Sequence, residues 1–424
     1  MEHDSIGALN VPAEAYYGVQ SMRAATNFQI THRPLHPVLI DSIVMVKKAA
    51  AITNEKSGKL DQQIVQAIIQ ACDEILDGNL RDQFIVDAIQ GGAGTSANMN
   101  ANEVIANRAI EILGGTKGDY SIVHPNDHVN MSQSTNDVIP TAGKITVLKL
   151  LPQTIKELEK LEKAMEEKEA EFDDILKMGR TQLQDAVPMR LGQSFGAFAH
   201  VLKRDIKRLK NVMDEMKVLN IGATAIGTAI NVDPYYLANI SYELSKVAGI
   251  SLKQADDLID ATQNLDGFVS VSGVLKTCAV GISKISNDLR LMSSGPRTGL
   301  SEINLPARQN GSSIMPGKIN PVIPEVVSQV AYLIIGHDYT ITMAAEAGQC
   351  EEYIEKSVGI STALCPYIGY AKSAEIAKKS LKTGISVKEL VLEEGLLKEE
   401  ELKEILKPEK MTQPMREKVM KAVS

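Results

Sequence analysis

A short polar loop near residue 311 carries the residue types that proton transfer on a small anion requires. Residues 311–325 read GSSIMPGKINPVIPE, with two glycines, two serines, one lysine, one asparagine and three prolines. Because each proline fixes φ and removes an N–H donor, this stretch predicts an irregular loop rather than a regular helix or a central strand. Gly311 and Gly317 allow the backbone to approach a ligand closely, and Lys318 supplies a positive charge.

Three further polar segments are candidates for the same site. Residues 91–109 read GGAGTSANMNANEVIANRA, residues 124–141 read HPNDHVNMSQSTNDVIPT, and residues 179–188 read GRTQLQDAVP. Their purely structural alternatives are a glycine turn with a hydroxyl N-cap, a solvated loop and an ordinary helix–helix turn. Helix N-termini attract carboxylates because their unpaired N–H groups carry partial positive charge, so several termini meeting at one point would hold a dicarboxylate.

Other classes of site fit these segments poorly. His124 and His128 lie four residues apart, but Pro125 argues against a helical pair of metal ligands, so no metal site is predicted. The 311–320 loop lacks the glycine spacing and the Ser/Thr after lysine of a phosphate-binding loop, and the chain has no GxSxG hydrolase elbow. The four scattered cysteines indicate neither a disulfide framework nor a zinc site.

Composition indicates a globular protein outside the nucleic-acid-binding and membrane classes. The net charge is −8, and 44% of residues are hydrophobic and 23% charged. No signal peptide is recognisable, and no apolar run approaches the roughly 20 residues of a membrane span. The sequence therefore predicts a cytoplasmic protein.

Hydrophobic periodicity predicts an all-α fold. Apolar residues recur at helical spacing over four long windows, which favour a bundle of helices lying side by side. The windows are residues 156–178, 190–219, 261–292 and 324–347. Shorter helices are predicted at residues 38–55 and 62–77. We expect three domains: a mostly helical N-terminal domain at 1–136, a central long-helix bundle at 137–356 and a small helical domain at 357–424.

The four polar segments, in order, resemble those of the aspartase/fumarase superfamily. Its signature is close to GSSxMPxKxN, which residues 311–320 match, and the resemblance runs from VPAEAYYGVQSMRAATNF to VGISTALCPYIGY. The resemblance implies three α-helical domains, a homotetramer built on the central bundle, and an active site shared by three subunits. It also implies reversible anti-elimination from a succinyl-type substrate to give fumarate.

The resemblance assigns a role to each matching residue. Ser312 is the expected base, with Lys318, Asn320 and loop N–H groups stabilising its alkoxide. Proton loss gives an aci-carboxylate. The residues expected to hold it are Thr95, Ser134, Thr135 and Ser313; Asn136 is expected near the leaving amine, and Thr181, Lys318 and Asn320 at the other carboxylate.

Gln182 decides between two members of the superfamily. In fumarases a histidine that handles the water follows GRT, and it pairs with a glutamate that survives here as Glu325. Glutamine cannot shuttle a proton, whereas ammonia leaves without such an acid, so the resemblance favours an aspartate ammonia-lyase over a class II fumarase. L-Aspartate, fumarate and ammonia are the expected ligands. No cofactor is expected to be required, and a divalent cation such as Mg²⁺ is a candidate activator.

One departure from the aspartase pattern follows Gln349. Aspartases continue past EAGQ with a further long stretch, but here EAGQ runs almost directly into CEEYIEKSVGIS. Roughly forty residues are absent, about 60 Å of helix at ~1.5 Å per residue. A catalytically impaired member, serving structurally as some lens crystallins related to argininosuccinate lyase do, is therefore the alternative to an active enzyme.

Overall fold

The computed structural model describes residues 1–4, 6–347, 364–383 and 385–406. The chain forms two compact units. Unit 1 comprises Met1–Thr146, Lys217–Asn264 and Gly348–Ser424, and unit 2 comprises Val147–Met216 and Leu265–Ala347. The shortened stretch expected after Gln349 lies outside the described residues.

Unit 1 begins with a strand pair and four helices. These are β1 (Glu2–Asp4), β2 (Gly7–Leu9), α1 (Val19–Asn27), α2 (Pro37–Lys56), α3 (Gln62–Leu76) and α4 (Thr95–Ile112). The helices predicted at 38–55 and 62–77 are confirmed as α2 and α3. The His36 side chain accepts the Val38 N–H at the start of α2, and the Asp61 carboxylate accepts the Gln63 N–H at the start of α3.

Packing in this part of unit 1 follows the apolar spacing of α3. Val65, Ile68, Cys72 and Ile75 recur every three or four residues and are all buried. This face lets α3 contact both α2 and α4. Because α4 is buried over most of its length, its several asparagines must find hydrogen-bond partners inside the protein.

The next elements in chain order are α5 (Thr135–Glu171), β3 (Leu176–Thr181), β4 (Gln184–Arg190) and α6 (Leu191–Met216). Residues of α5 up to Thr146 belong to unit 1 and the rest to unit 2. The helix predicted at 156–178 is wrong at its C-terminal end, because the chain leaves the helix after Glu171. Leu176 then pairs with Arg190, so the backbone groups there are satisfied by a strand partner.

The β3–β4 hairpin turns at Gln182 and Leu183, whose φ angles are 53° and 62°. Two positive φ angles match the twist of a two-residue hairpin loop, although asparagine and glycine are the usual residues there. The register shifts between Met178 and Arg180. Residues 179–188 therefore form a strand hairpin and not a helix–helix turn.

The chain then returns to unit 1 with β5 (Val218–Leu219), α7 (Pro234–Ala248), β6 (Lys253–Gln254) and α8 (Leu258–Gln263). β5 and β6 pair in parallel, and α7 packs on α2, where Lys56 lies 2.8 Å from Glu243. The domain division predicted from sequence counted this passage with the central bundle. That three-domain division stays a prediction.

Unit 2 continues with α9 (Asp266–Met292) and α10 (Val322–Glu346). α9 packs against both α6 and α10, and buried Asp338 of α10 accepts from Ser272 and Lys276 of α9 at 2.8 and 2.6 Å. The helical windows at 261–292 and 324–347 are thus largely confirmed. By length and composition α9 is able to cross a membrane, but one such helix is weak evidence, since core helices of soluble proteins pass the same test.

Four short helices end the described chain: α11 (Cys365–Ile368), α12 (Tyr370–Thr383), α13 (Val387–Glu393) and α14 (Glu399–Ile405). Their apolar residues form a small core of their own, and Ser386 and Glu389 make a capping box at the start of α13. The helical fold class predicted from the sequence is confirmed, and the described part of the chain adds three short strand pairs.

Candidate active site

The loop at residues 311–320 closes on itself in front of α10. Asn310 and Ile319 form an antiparallel bridge, and the Gly311 N–H donates to the Lys318 carbonyl at 2.8 Å. The Asn320 side-chain amide donates to the Gly311 carbonyl at 3.0 Å. A Cβ at residue 311 would lie 2.7 Å from Asn320 Cγ, so only glycine lets the asparagine side chain cross here.

Ser312 sits in this loop with two backbone donors aimed at its hydroxyl oxygen. The Ile314 and Met315 N–H groups donate to Ser312 Oγ at 3.3 and 3.0 Å. Ser313 and Lys318 are exposed, and no carboxylate among the described residues forms an ion pair with Lys318. The loop therefore holds a serine oxygen beside N–H donors and places a cation on the same short stretch.

The β3–β4 hairpin presents Thr181 and Gln182 at its tip, and both are exposed. Its base is tied by Glu302, whose carboxylate lies 2.6 Å from Arg180 and 3.1 Å from Lys177. Burial alone would raise the pKa of Glu302, but hydrogen bonds from the two cations outweigh it and lower the pKa. Since the Glu302 N–H also donates to the Met292 carbonyl at 2.8 Å, the hairpin is joined to the segment after α9.

In unit 1, Thr95 starts α4 directly after Gly94, which has a φ of 87°. The Thr95 hydroxyl donates to the Gly92 carbonyl at 2.7 Å, so it does not cap the helix as the hydroxyl N-cap alternative expected. A Cβ at Gly94 would lie 2.9 Å from Ile139 Cγ1. The first turn of α4 therefore packs closely on the early part of α5.

Residues 134–136 form the start of α5, and Asp137 organises them. The Ser134 N–H donates to Asp137 Oδ1 at 2.9 Å, while Gly222 and Thr224 N–H groups donate to Oδ2 at 3.0 and 3.1 Å. Burial raises the pKa of Asp137 to about 6, although these three donors and the charge of Lys47 oppose the rise. One buried carboxylate thus joins this turn to the 222–224 segment.

The other side chains of this turn are fixed by neighbours within unit 1. The Asn136 amide donates to the Ala225 carbonyl at 2.7 Å, which leaves its own carbonyl oxygen as an acceptor. The Asn98 amide of α4 donates to Thr135 Oγ1 at 3.3 Å. Hydrogen bonding and packing therefore bring the start of α4, which carries Thr95, to the start of α5.

The residues predicted for the site thus fall into two groups, one in each unit. Unit 1 holds Thr95, Ser134, Thr135 and Asn136; unit 2 holds Thr181, Gln182, Ser312, Ser313, Lys318 and Asn320. Sequence reasoning did not single out Asp137 and Glu302, whose carboxylates bind the turn at Ser134 and the β3–β4 hairpin. It also did not single out Lys47, which is fully buried on α2. A lysine within the apolar run SIVMVKKAAA was the one signal available for Lys47.

The two histidines of the 124–141 segment serve the local backbone. His124 Nδ1 accepts the N–H groups of Asn126 and Asp127 at 3.2 and 3.1 Å, which caps a π-helical turn at Pro125–Val129. His128 Nδ1 accepts the His124 N–H at 2.9 Å. Over the described ranges, no three histidine, cysteine or acidic side chains are grouped to bind a metal ion.

Family comparison accounts for nearly the whole chain. Residues 7–336 match the family described as lyase, and residues 360–413 match the family described as fumarase C C-terminus. The chain belongs to the aspartase/fumarase superfamily of lyases. An aspartate ammonia-lyase of Bacillus sp is 50% identical over 456 residues, covering 98% of this chain and 97% of the relative. That of Escherichia coli K12 is 46% identical, with 98% and 96% covered.

Solved structures agree with this membership of the lyase superfamily. A Brucella melitensis protein described as fumarate lyase:delta crystallin, bound to cobalt, superposes with a TM-score of 0.81 at 47% identity, covering 97% of this chain and 99% of that one. A class II fumarase from Schistosoma mansoni gives a TM-score of 0.79 at 33% identity and the same coverage.

The lengths of these alignments bear on the departure after Gln349. The alignment with the Bacillus relative is 456 residues long and includes 98% of the 424 residues of this chain, which is about 416. About 40 aligned positions therefore have no residue from this lyase. The two family matches stop at residue 336 and resume at residue 360. The alignment length agrees with the roughly forty residues predicted to be absent from the sequence.

Proposed function

We propose that this lyase is an aspartate ammonia-lyase, which converts L-aspartate reversibly to fumarate and ammonia by anti-elimination. The observation that carries the proposal is its 46–50% identity, over nearly the full length, to aspartate ammonia-lyases of several bacteria. The class II fumarase from Schistosoma mansoni is less similar, at 33% identity. Gln182 stands where a hydratase requires a histidine, which also favours ammonia over water as the leaving group.

Ser312 is proposed as the base that removes a proton from the carbon next to the amine-bearing carbon. A serine acts as a base only when its oxyanion is stabilised, and the Ile314 and Met315 N–H groups already point at Ser312 Oγ. Lys318 adds a full positive charge to the same loop. The electron pair of the broken C–H bond passes into the neighbouring carboxylate and forms an aci-carboxylate, which then expels the amine as ammonia.

The remaining site residues are proposed to bind the charged groups of the substrate and the negative charge that develops on the aci-carboxylate. Ser134, Thr135 and Ser313 offer hydroxyl donors to the aci-carboxylate, and Thr95 does so once its hydroxyl turns away from the Gly92 carbonyl. The extra charge of the aci-carboxylate makes these donors bind it more strongly than the substrate carboxylate. Asn136 keeps a free carbonyl oxygen, which suits an ammonium donor. The residues proposed for the second carboxylate are Thr181, Lys318 and Asn320, with Gln182 beside them.

A homotetramer is proposed as the form that assembles the complete site. The predicted residues fall into two units of the chain, and the family resemblance implies a site shared between subunits. On α10, Ile323, Val326, Val330 and Leu333 are spaced three or four residues apart and are about half exposed. Such a stripe suits burial against further copies of this chain. A cytoplasmic location and independence of added cofactors are part of the same proposal.

Ultraviolet absorbance tests the activity directly, because the double bond of fumarate absorbs where aspartate does not. Adding L-aspartate should raise the absorbance, and fumarate with ammonium should give aspartate. Fumarate without ammonium should give little malate. Malate formed at a comparable rate would transfer the assignment to the fumarases, and no reaction in either direction would favour the catalytically impaired alternative.

Ser312→Ala tests the assignment of the base. We expect ammonia release to fall by at least about 10², because general-base catalysis is worth that much, while circular dichroism stays unchanged. Ser251→Ala, at an exposed serine, is the matched control and should keep full activity. A Ser312→Ala rate within about tenfold of the parent protein removes Ser312 from the role of base.

A further inference from the structure

Lys47 is a lysine that no proposed catalytic step uses, yet its side chain is completely buried on α2. Its ammonium donates to Asn130 Oδ1 at 2.8 Å and to Gln133 Oε1 at 3.0 Å. Burial disfavours a charged ammonium group unless its N–H groups donate hydrogen bonds to acceptors such as these two oxygens. The two acceptors belong to the stretch that leads directly into residues 134–136.

Asn130 connects this lysine to the predicted carboxylate-binding turn. Its Oδ1 also accepts from Asn98 and Asn102 of α4, both at 3.2 Å, and its amide donates to the Gln133 carbonyl at 3.1 Å. Asn98 in turn donates to Thr135 Oγ1 at 3.3 Å. A continuous buried network therefore runs from Lys47 through two asparagines to a hydroxyl proposed to bind substrate.

A second anchor on α2 lies two helical turns beyond Lys47. Asn54 donates to the Met131 carbonyl at 3.0 Å, and its Oδ1 accepts from the Ser132 hydroxyl at 2.9 Å. Residues seven apart share a helix face, so one face of α2 holds residues 130–133 at two points. Ser132 has a φ of 63°, a conformation that persists only where surrounding contacts enforce it.

A charged group near Lys47 also contacts the turn at residues 134–136. Burial lowers the pKa of Lys47 to about 7, while the charge of Asp137 opposes that change. Asp137 holds Ser134 from the other side of the turn. Lys47 on α2 thus binds this turn through the side-chain amides of Asn130 and Gln133. Asp137 on α5 binds it through the backbone N–H of Ser134.

We propose that Lys47 is a positioning residue, which holds residues 134–136 in the geometry that binds the aci-carboxylate through its hydrogen bonds to Asn130 and Gln133. It does not touch the substrate. The inference rests on the proposed function for its catalytic consequence, whereas the order it imposes on residues 130–137 is independent of any activity.

Lys47→Met tests this proposal, because methionine keeps an unbranched chain of similar length without the ammonium. We expect kcat/KM for L-aspartate to fall about tenfold or more, mostly through kcat, since a misplaced donor binds the intermediate less well. Amide hydrogen exchange within residues 130–137 should become faster. The matched control is Lys48→Met, at the next residue, which pairs with Asp73 near the surface and should change neither readout.

The two readouts separate the inference from the proposed function. If the parent protein releases no ammonia from aspartate, the proposed function fails, and the exchange measurement still decides whether Lys47 orders the turn. Unchanged exchange in Lys47→Met, or an unchanged kcat in an active enzyme, overturns the proposal. Should Lys47→Met fail to fold, Gln133→Met removes one of the two acceptors through which Lys47 holds the turn, while Lys47 keeps its hydrogen bond to Asn130. A parental kcat and parental exchange in that variant likewise overturn it.

Discussion

Arg180 donates to Glu302 at 2.6 Å, and Lys177 lies 3.1 Å from the second oxygen of the same carboxylate. Both cations belong to β3, whereas Glu302 follows α9 in the chain. A single carboxylate therefore holds the hairpin whose tip carries Thr181 and Gln182. The three side chains are largely shielded from water, so the interaction is stronger than that of a typical surface pair.

Glu302→Gln should loosen this hairpin. Losing two charge-assisted contacts costs about 1–3 kcal/mol locally, so we expect KM for L-aspartate to rise several-fold and kcat to fall. Steady-state kinetics measure both. Glu157→Gln, which breaks an exposed pair with Lys160 on α5, is the control and should leave both constants unchanged. Parental kinetics in Glu302→Gln would show that the hairpin does not depend on this carboxylate.

Gly311→Ala should damage the serine loop by steric conflict. The added Cβ would lie 2.7 Å from Asn320 Cγ and 2.8 Å from its backbone nitrogen, so Asn320 must move. We expect at least about a tenfold loss of kcat/KM, because small displacements of positioning groups have large effects on rate. Gly317→Ala is the comparison within the same loop. It has a φ of 78° but no atom within 4 Å of the added Cβ, so only backbone strain of about 1 kcal/mol is expected. Equal losses in the two variants would contradict the steric explanation.

Glu103 should make the stability of the protein depend on pH. Burial raises its pKa from 4.5 to about 7, even though Gly18, Gln20 and Ser21 donate to its carboxylate. A raised pKa means that the folded state holds a proton which the unfolded state releases. Its contribution to stability is therefore complete below pH 4.5 and is lost as the pH rises through about 7. The limiting size is about 3 kcal/mol.

Thermal unfolding between pH 5 and pH 8 measures this contribution. The parent protein should lose more stability over that range than Glu103→Gln, which cannot titrate, whereas Glu157→Gln at an exposed site should behave as the parent does. Parallel curves for the parent and Glu103→Gln would show that Glu103 is ionised throughout this range.

The shortened stretch after Gln349 should weaken assembly. Long helices in this superfamily are expected to bury apolar stripes between subunits, and even a few hundred Å² left bare at ~25 cal/mol per Å² is worth several kcal/mol. We therefore expect low activity and partial dissociation by light scattering. Intact mass comes first: 46.0 kDa supports a true deletion, and several kDa more indicates a segment missing from the sequence. A chain of the shorter mass that forms a stable and fully active tetramer would show that the segment is dispensable.

Local sequence patterns predicted most helices and the serine loop. Helical spacing is strong in α3, and the three prolines of residues 311–325 leave no regular alternative. The β3–β4 hairpin was missed because its turn residues, Gln182 and Leu183, lack the Asn-Gly or Asp-Gly pattern that marks such turns. Pairing of Thr181 with Gln184 places these two residues in the turn. The hairpin is held by Glu302, which lies 122 residues beyond its partner Arg180.

The supporting residues of the site were unpredictable for a related reason. Lys47 meets Asn130 across 83 residues of sequence, and no local pattern encodes that contact. Thr95, Ser134 and Ser312 were found through family resemblance, because a hydroxyl before a helix is common in every class of protein. The roles assigned to these three residues stay predictions until the variants are measured.

An exposed apolar stripe on α10 is formed by Ile323, Val326, Val330 and Leu333. Because of this stripe, we expect the stability and activity of the protein to depend on its concentration. If further copies cover the stripe, mass action couples folding to association, and the melting temperature rises with the amount of protein in the cuvette. Specific activity should then fall at nanomolar enzyme and recover on concentration. Assays that compare variants must accordingly be run at one fixed chain concentration, since a shift in association would otherwise be mistaken for a change in chemistry.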